Sequence, residues 1–188
     1  MKKLFPSLPD NAGLSEVFQA FPDTIKPLLE YHDALLRSDS PLSVAQRELI
    51  AAYVSGLNAC AFCFGAHVIM ARAFGVSPKT IDALLDDPAT APVDPEMRPV
   101  LAYVAKLTTT PATMTEADAR AVYDAGWSER ALFDAIQTCA LFNFMNRILE
   151  GTGVTGYPID PDAITEDDLT ARRTGTYGDW GRKIGVLD

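Results

Sequence analysis

The sequence predicts an all-α fold on three observations. Apolar residues recur at helical spacing, capping residues stand at the ends of those runs, and no comparable run of β-branched residues alternates with polar ones as a half-buried strand requires. The chain has 188 residues, of which 48% are apolar and 22% charged, enough for one core and too few for two ordinary domains.

The elements follow in order. From about Asp23 to Arg37, Ile25, Leu28, Leu29, Leu35 and Leu36 form a helical stripe that stops before Ser38-Asp39-Ser40-Pro41. Ser43 is placed to cap a second helix running to about Ser55. Asn58 is the expected cap of a third, which ends near Phe74 with Gly75 in the left-handed position after it. Ser77-Pro78 opens a short helix, because proline loses no hydrogen bond at the first helical position. Asp86 to Pro99 holds four prolines and reads as a loop entering a helix from about Glu96 to Leu107. Thr115 and Asp118 form a near capping box for a helix stopped by Gly126, and Ser128 caps a long helix stopped by Gly151. Gly151 to Pro161 reads as a linker. The tail beyond it is acidic at Glu166, Asp167 and Asp168, then aromatic and basic, and reads as an arm packed on this domain or on a neighbouring subunit.

Composition excludes some functions. Sixteen Lys and Arg against 25 Asp and Glu give a net charge of -9, and an acidic surface repels phosphate backbones and anionic lipid heads, so neither a nucleic-acid nor a membrane partner is expected. The first residues run at once into Pro6, Pro9 and Asp10 without an apolar stretch, so no signal peptide is expected. Leu49 to Ala71 carries no charged residue, but Ser55-Gly56-Leu57-Asn58 breaks it into two buried helices, and the mean hydropathy of the chain is only +0.05. Three cysteines do not make an even disulfide framework, which points to a reducing, cytoplasmic setting.

The chemistry concentrates between Glu48 and His67. On a helix capped by Asn58, Cys60, Cys63 and His67 fall at angles of about 0°, 300° and 340°, on one face. With the turn centred near Leu57, Glu48 and His67 lie level on antiparallel helices. Glu48 can then reach His67, His67 lies one turn from Cys63, and Cys63 one turn from Cys60. This order describes a proton relay ending on a dithiol. A thiolate is the reactive form, and a helix N-terminus and a neighbouring imidazole both favour it. The competing readings are two small buried core residues and a zinc site, the latter weakened because three ligands on one helical face give poor tetrahedral geometry. Neither a metal nor a cofactor is expected.

Glu48, eleven residues, Cys60-x-x-Cys63, three residues and His67 resemble the active-site signature of the AhpD-like alkylhydroperoxidases in the carboxymuconolactone decarboxylase superfamily, in particular its peroxidase-related branch. The resemblance implies an AhpD-like helical bundle over residues 1–161, with 162–188 as the C-terminal arm. It also implies a hydroperoxide substrate, a dithiol or thioredoxin-like electron donor, and assembly as a homo-oligomer (dimer, trimer or hexamer). By resemblance Cys63 attacks the peroxide, Cys60 is the resolving and more exposed cysteine, and His67 and Glu48 form the relay. Phe62 stands where the characterised enzymes carry histidine, and an apolar neighbour predicts a less ionised Cys63 and a preference for bulky apolar substrates. A thiol-disulfide oxidoreductase with little peroxidase activity and a non-catalytic redox switch are the alternative functions.

The other polar residues have plainer expectations. Glu48 taken alone pairs with Arg47 or a later lysine, His32 lies at the surface or an interface, and Cys139 is a packed core thiol. Asn143, Asn146 and Arg147 put polar groups on an apolar helix and need hydrogen-bond partners, in the core, at a subunit contact or near the site.

Overall fold

The computed structural model describes residues 4–154, 159 and 163–188. Met1-Lys2-Lys3, Tyr157 and the boundary expected between 161 and 162 lie outside the described residues. Those described form ten α-helices: α1 Leu14–Ala20, α2 Ile25–Leu36, α3 Val44–Leu57, α4 Ala61–Ala73, α5 Pro78–Asp86, α6 Met97–Thr109, α7 Glu116–Asp124, α8 Glu129–Thr152, α9 Glu166–Thr174 and α10 Tyr177–Lys183. The all-α fold expected from the sequence is the one found, and no strand occurs among the described residues.

The caps explain most boundaries. Ser43 Oγ accepts from the Gln46 N–H and Gln46 returns a hydrogen bond to the Ser43 N–H, so α3 begins with two of its free donors satisfied. Ser128 caps α8 through the Ala131 N–H, and Thr115 and Asp118 form the box at α7. Two boundaries differ from expectation. Gly151 lies inside α8, and Gly153, at φ 83°, is the left-handed residue that ends it. Asn58 does not cap α4 but ends α3, and Cys60 occupies the N-cap position of α4.

The cause of that shift is the turn itself. Ala59 adopts φ 53°, Cys60 N–H donates to Ser55 O at 3.0 Å and Ala59 N–H donates to Gly56 O at 2.9 Å, the paired closure of a Schellman turn. The Asn58 amide is thereby free to turn into the core, where it donates to Asn143 Oδ1 and Asn146 Oδ1 at 3.1 and 2.9 Å.

Helices α3 and α4 pack along one another at the centre, with α8 and α6 behind α3 and α5 across both. The close approach of α5 requires Gly56, since a Cβ there would meet Leu85 at 2.6 Å. Burial follows this arrangement: every residue of α3 from Arg47 to Ser55 is buried, which is why the charge-free run lacks a polar face. The tail forms two short helices, with α9 against α4 and α10 against α2. Trp180 of α10 stacks on Phe18 at 5.7 Å, and Asp33 of α2 accepts the Tyr177 and Gly178 N–H groups at 2.7 and 2.9 Å. Among the described residues no helix is long and apolar enough to cross a membrane.

Candidate functional site

Antiparallel packing of α3 on α4 brings Glu48 to His67. Glu48 Oε2 lies 2.6 Å from His67 Nδ1, and both side chains are buried. The other carboxylate oxygen, Oε1, accepts from Arg37 at 2.6 Å. The partner is therefore Arg37, at the end of α2, and not Arg47, one residue before Glu48. The Arg47 guanidinium instead donates to Leu35 O and Ser38 O and ties down the loop after α2. Burial would raise the Glu48 pKa, but His67 and Arg37 together outweigh it and hold the carboxyl below its usual range.

The two sulfurs lie one helical turn away. Cys60 is fully buried and Cys63 is 4% exposed, so the expectation that Cys60 is the more exposed is overturned within this chain. The cause is the Schellman turn, which tucks Cys60 beneath it while its neighbours Ala59 and Ala61 remain exposed. The two thiols form no disulfide. The neighbouring Cys63 thiol is the main cause that lowers the Cys60 pKa, with the Cys63 backbone N–H adding to it and burial and the Glu150 carboxylate opposing. The Cys63 pKa is raised, first by Cys60 and then by burial, and the Asn146 amide offsets only part of this. The two thiols are thus linked, so that ionising one makes the other harder to ionise.

Further residues surround this site. Phe142 of α8 meets the His67 ring edge-to-face, with centroids 4.3 Å apart. Asn146 is buried, donates to Ser55 Oγ at 3.1 Å and reaches Cys63, which gives this amide the role near the site that the sequence left open. Asn143 and the exposed Arg147 bond each other, and Asn143 also donates to Cys139 O at 3.0 Å. Glu150, beside Cys60, carries no sequence signal, because only the length of α8 brings it there. His32, expected at the surface, is buried. Its Nδ1 lies 2.8 Å from Leu28 O and its ring packs on Tyr177 at 4.8 Å, and burial pushes its pKa down to about 4.

Two cavities of about 200 and 410 Å³ are lined by neither cysteine nor by His67. No group of three or more His, Cys, Asp or Glu among the described residues is arranged to hold a metal ion.

Residues 22–106 match the model of the carboxymuconolactone decarboxylase family. No curated protein matches the chain. Similar solved structures include a peroxidase-related protein with an alkylhydroperoxidase AhpD core from Ralstonia eutropha JMP134, with TM-score 0.71 and 26% identity, covering 76% of this chain and 75% of that one. A peroxidase-related protein from Silicibacter sp. TM1040 has TM-score 0.70 and 27% identity, covering 76% of each chain. A protein of unknown function from Agrobacterium tumefaciens, 24% identical with TM-score 0.65 over 77% of this chain and 97% of that one, bears on the fold alone. The match over α2 to α6, together with the two AhpD-like, peroxidase-related neighbours, supports an AhpD-like carboxymuconolactone decarboxylase assignment for this part of the chain.

Proposed function

We propose that the chain is a thiol-dependent hydroperoxide reductase working through Cys60 and Cys63. The observation that carries this reading is the 2.6 Å contact between Glu48 and His67, on the face of α4 that also carries the paired thiols. In the first step His67 accepts the Cys63 proton, and the thiolate attacks the peroxide. The O–O bond breaks, Cys63 becomes a sulfenic acid, and the alkoxide leaves as an alcohol with the relay proton. Cys60 thiolate then attacks Cys63 Sγ and expels hydroxide, which leaves as water, and a disulfide forms. A dithiol or thioredoxin-like donor in a reducing compartment returns the pair to thiols. Cys60 as N-cap and Cys63 at the third helical position are one turn apart, a spacing that a small opening of that turn converts to bonding distance.

A second reading exchanges the two roles, and the lowered Cys60 pKa favours it. Trapping with dimedone separates them. If Cys63 attacks, Cys60→Ser accumulates a sulfenic acid on Cys63 and Cys63→Ser consumes no peroxide. Labelling of Cys60 in Cys63→Ser at the wild-type rate assigns attack to Cys60. Mild oxidation of the wild type should remove two hydrogens from the peptide holding both residues, turnover of a disulfide but not of peroxide would leave the thiol-disulfide oxidoreductase, and turnover of neither would leave only the redox switch. Homo-oligomerisation belongs to the same proposal, supported by the exposed rings of Phe133 and Phe144 on α8. A monomer by light scattering at micromolar concentration would refute that part.

A further inference from the structure

Arg37 stands outside both the motif and the sulfur chemistry, yet it is one of the two groups that hold Glu48. Its guanidinium donates to Glu48 Oε1 at 2.6 Å and to Leu36 O at 3.0 Å, while Nε has no hydrogen-bond partner. Two aromatic rings flank it. The guanidinium carbon lies 5.4 Å from the centre of the Phe74 ring and 5.2 Å from that of Tyr177. Phe74 ends α4, whereas Tyr177 opens α10 in the tail, 71 residues past the end of the family match at residue 106. Asp33 fixes that ring in place by accepting both the Tyr177 and Gly178 N–H groups, and Trp180 docks the same helix on Phe18.

We propose that Arg37, covered by Tyr177 of the C-terminal arm, is the positioning residue of the Glu48–His67 pair, so that the arm completes the proposed relay. The physical case is the fully buried carboxylate. Glu48 has two oxygens and two partners, and one cation alone would leave a lone pair unsatisfied and the charge poorly compensated in a closed core. With Arg37 on Oε1, the carboxylate plane is fixed and Oε2 faces His67 Nδ1, so that Nε2 is the nitrogen the proposed relay would use. Arginine suits the position because a planar guanidinium can stack on two rings while donating in its own plane, which an ammonium does not do. The charged and titratable groups around Glu48 are His67 from α4, Arg37, His32 and Asp33 from α2, Tyr177 from α10 and Arg47 from α3.

This inference rests on the relay reading above, and one experiment separates their failures. The rate of alkylation of the reduced cysteines is measured against pH in the full-length wild type, Glu48→Gln, Arg37→Met, Arg37→Lys, Tyr177→Ala and, as a control on α10, Arg182→Ala, whose exposed side chain pairs with Asp179 on its own helix. Without Arg37, burial neutralises Glu48, so Arg37→Met should reproduce the Glu48→Gln profile, with a midpoint moved to higher pH by about one unit. Arg37→Lys should recover part of the shift, Tyr177→Ala should show a smaller shift of the same sign, and Arg182→Ala should match the wild type. If Glu48→Gln moves the midpoint while Arg37→Met leaves it unmoved, the positioning role is overturned and the relay stands. An unmoved midpoint in Glu48→Gln removes the relay and the inference with it. Should Arg37→Met not fold, Arg37→Lys and Tyr177→Ala decide alone.

Discussion

Cys60 and Cys139 are equally hidden, at 0% and 1% exposure, and their pKa values move in opposite directions. Cys139 sits in the middle of α8, where its thiol donates to Val104 O at 3.6 Å and meets Thr108 Oγ1 at 3.3 Å. Burial raises its pKa, and the hydrogen bonds from Thr108 and Asn143 do not offset the rise. Cys60 sits at a helix start beside a second thiol, and there the partner outweighs burial. Burial alone therefore does not silence a sulfur. What separates the two regions is the position in the helix and the group that faces the sulfur.

The helix between the two regions offers the hardest test of that contrast. α8 turns Phe142 and Asn146 towards α3 and α4 and turns Cys139 towards α6, so its inner face serves both. Phe142 is 1% exposed and packs edge-to-face with both His67 and His32. Phe142→Ala should cost about 3–5 kcal/mol in chemical denaturation and should free the His67 ring. A loss below about 1 kcal/mol would mean that the packing which orients the site is loose.

His32 sharpens the contrast from the other side of the same ring. Like His67 it packs on Phe142, but a main-chain carbonyl and the neutral Tyr177 face it where His67 has a carboxylate. Its pKa is depressed to about 4 in the fold and is about 6.5 when unfolded. Between those values the unfolded chain binds the extra proton, so stability falls as pH drops through this window, by up to about 3 kcal/mol. Urea midpoints of wild type and His32→Gln should converge as pH falls from 7 to 4. Parallel curves would show that His32 titrates alike in the folded and the unfolded chain.

Much of this was legible in the sequence, for local reasons. Ser43, Thr115 and Ser128 announce their helices because a cap is decided within four residues, and Glu48 and His67 could be paired because both are counted from one short turn. The misses are tertiary. Arg37 rather than Arg47 meets Glu48 because α2 crosses the end of α3, and Cys60 replaces Asn58 as N-cap because the turn closes on Ser55 and Gly56 and releases the Asn58 amide to two amides more than eighty residues away. Helices α9 and α10 did leave a local signal, the Thr165–Asp168 and Thr176–Asp179 capping boxes, which weak apolar periodicity obscured.

Phe62 tests how much of the thiol's character comes from its immediate neighbour. The ring is half-buried between the two cysteines in sequence, and an apolar cover disfavours the thiolate. Phe62→His should lower the midpoint of the alkylation profile by up to about one unit, equivalent to about 1.4 kcal/mol. It should also speed reaction with small peroxides and slow reaction with bulky ones. If neither the profile nor the preference changes, position 62 is packing alone.

The smallest effect is expected at Cys139, and it bears most directly on whether the two sulfur regions are independent. They are physically linked: Asn143 donates to Cys139 O, Asn143 Oδ1 accepts from Asn58, and Asn58 donates onward to Asn146, which reaches Cys63. Cys139→Ala removes the sulfur but none of those bonds. Thr108 still donates to Val104 O at 2.7 Å, and Asn143 keeps its contacts to Thr108 Oγ1, Cys139 O and Arg147. The expected cost is therefore that of a small cavity, about 1 kcal/mol in denaturant, with the alkylation profile of Cys60 and Cys63 unmoved. A shifted profile would mean that the amide chain responds to the loss of one neutral sulfur at its far end, and the reactivity of the pair would then be set by the whole inner face of α8 rather than by the first turn of α4.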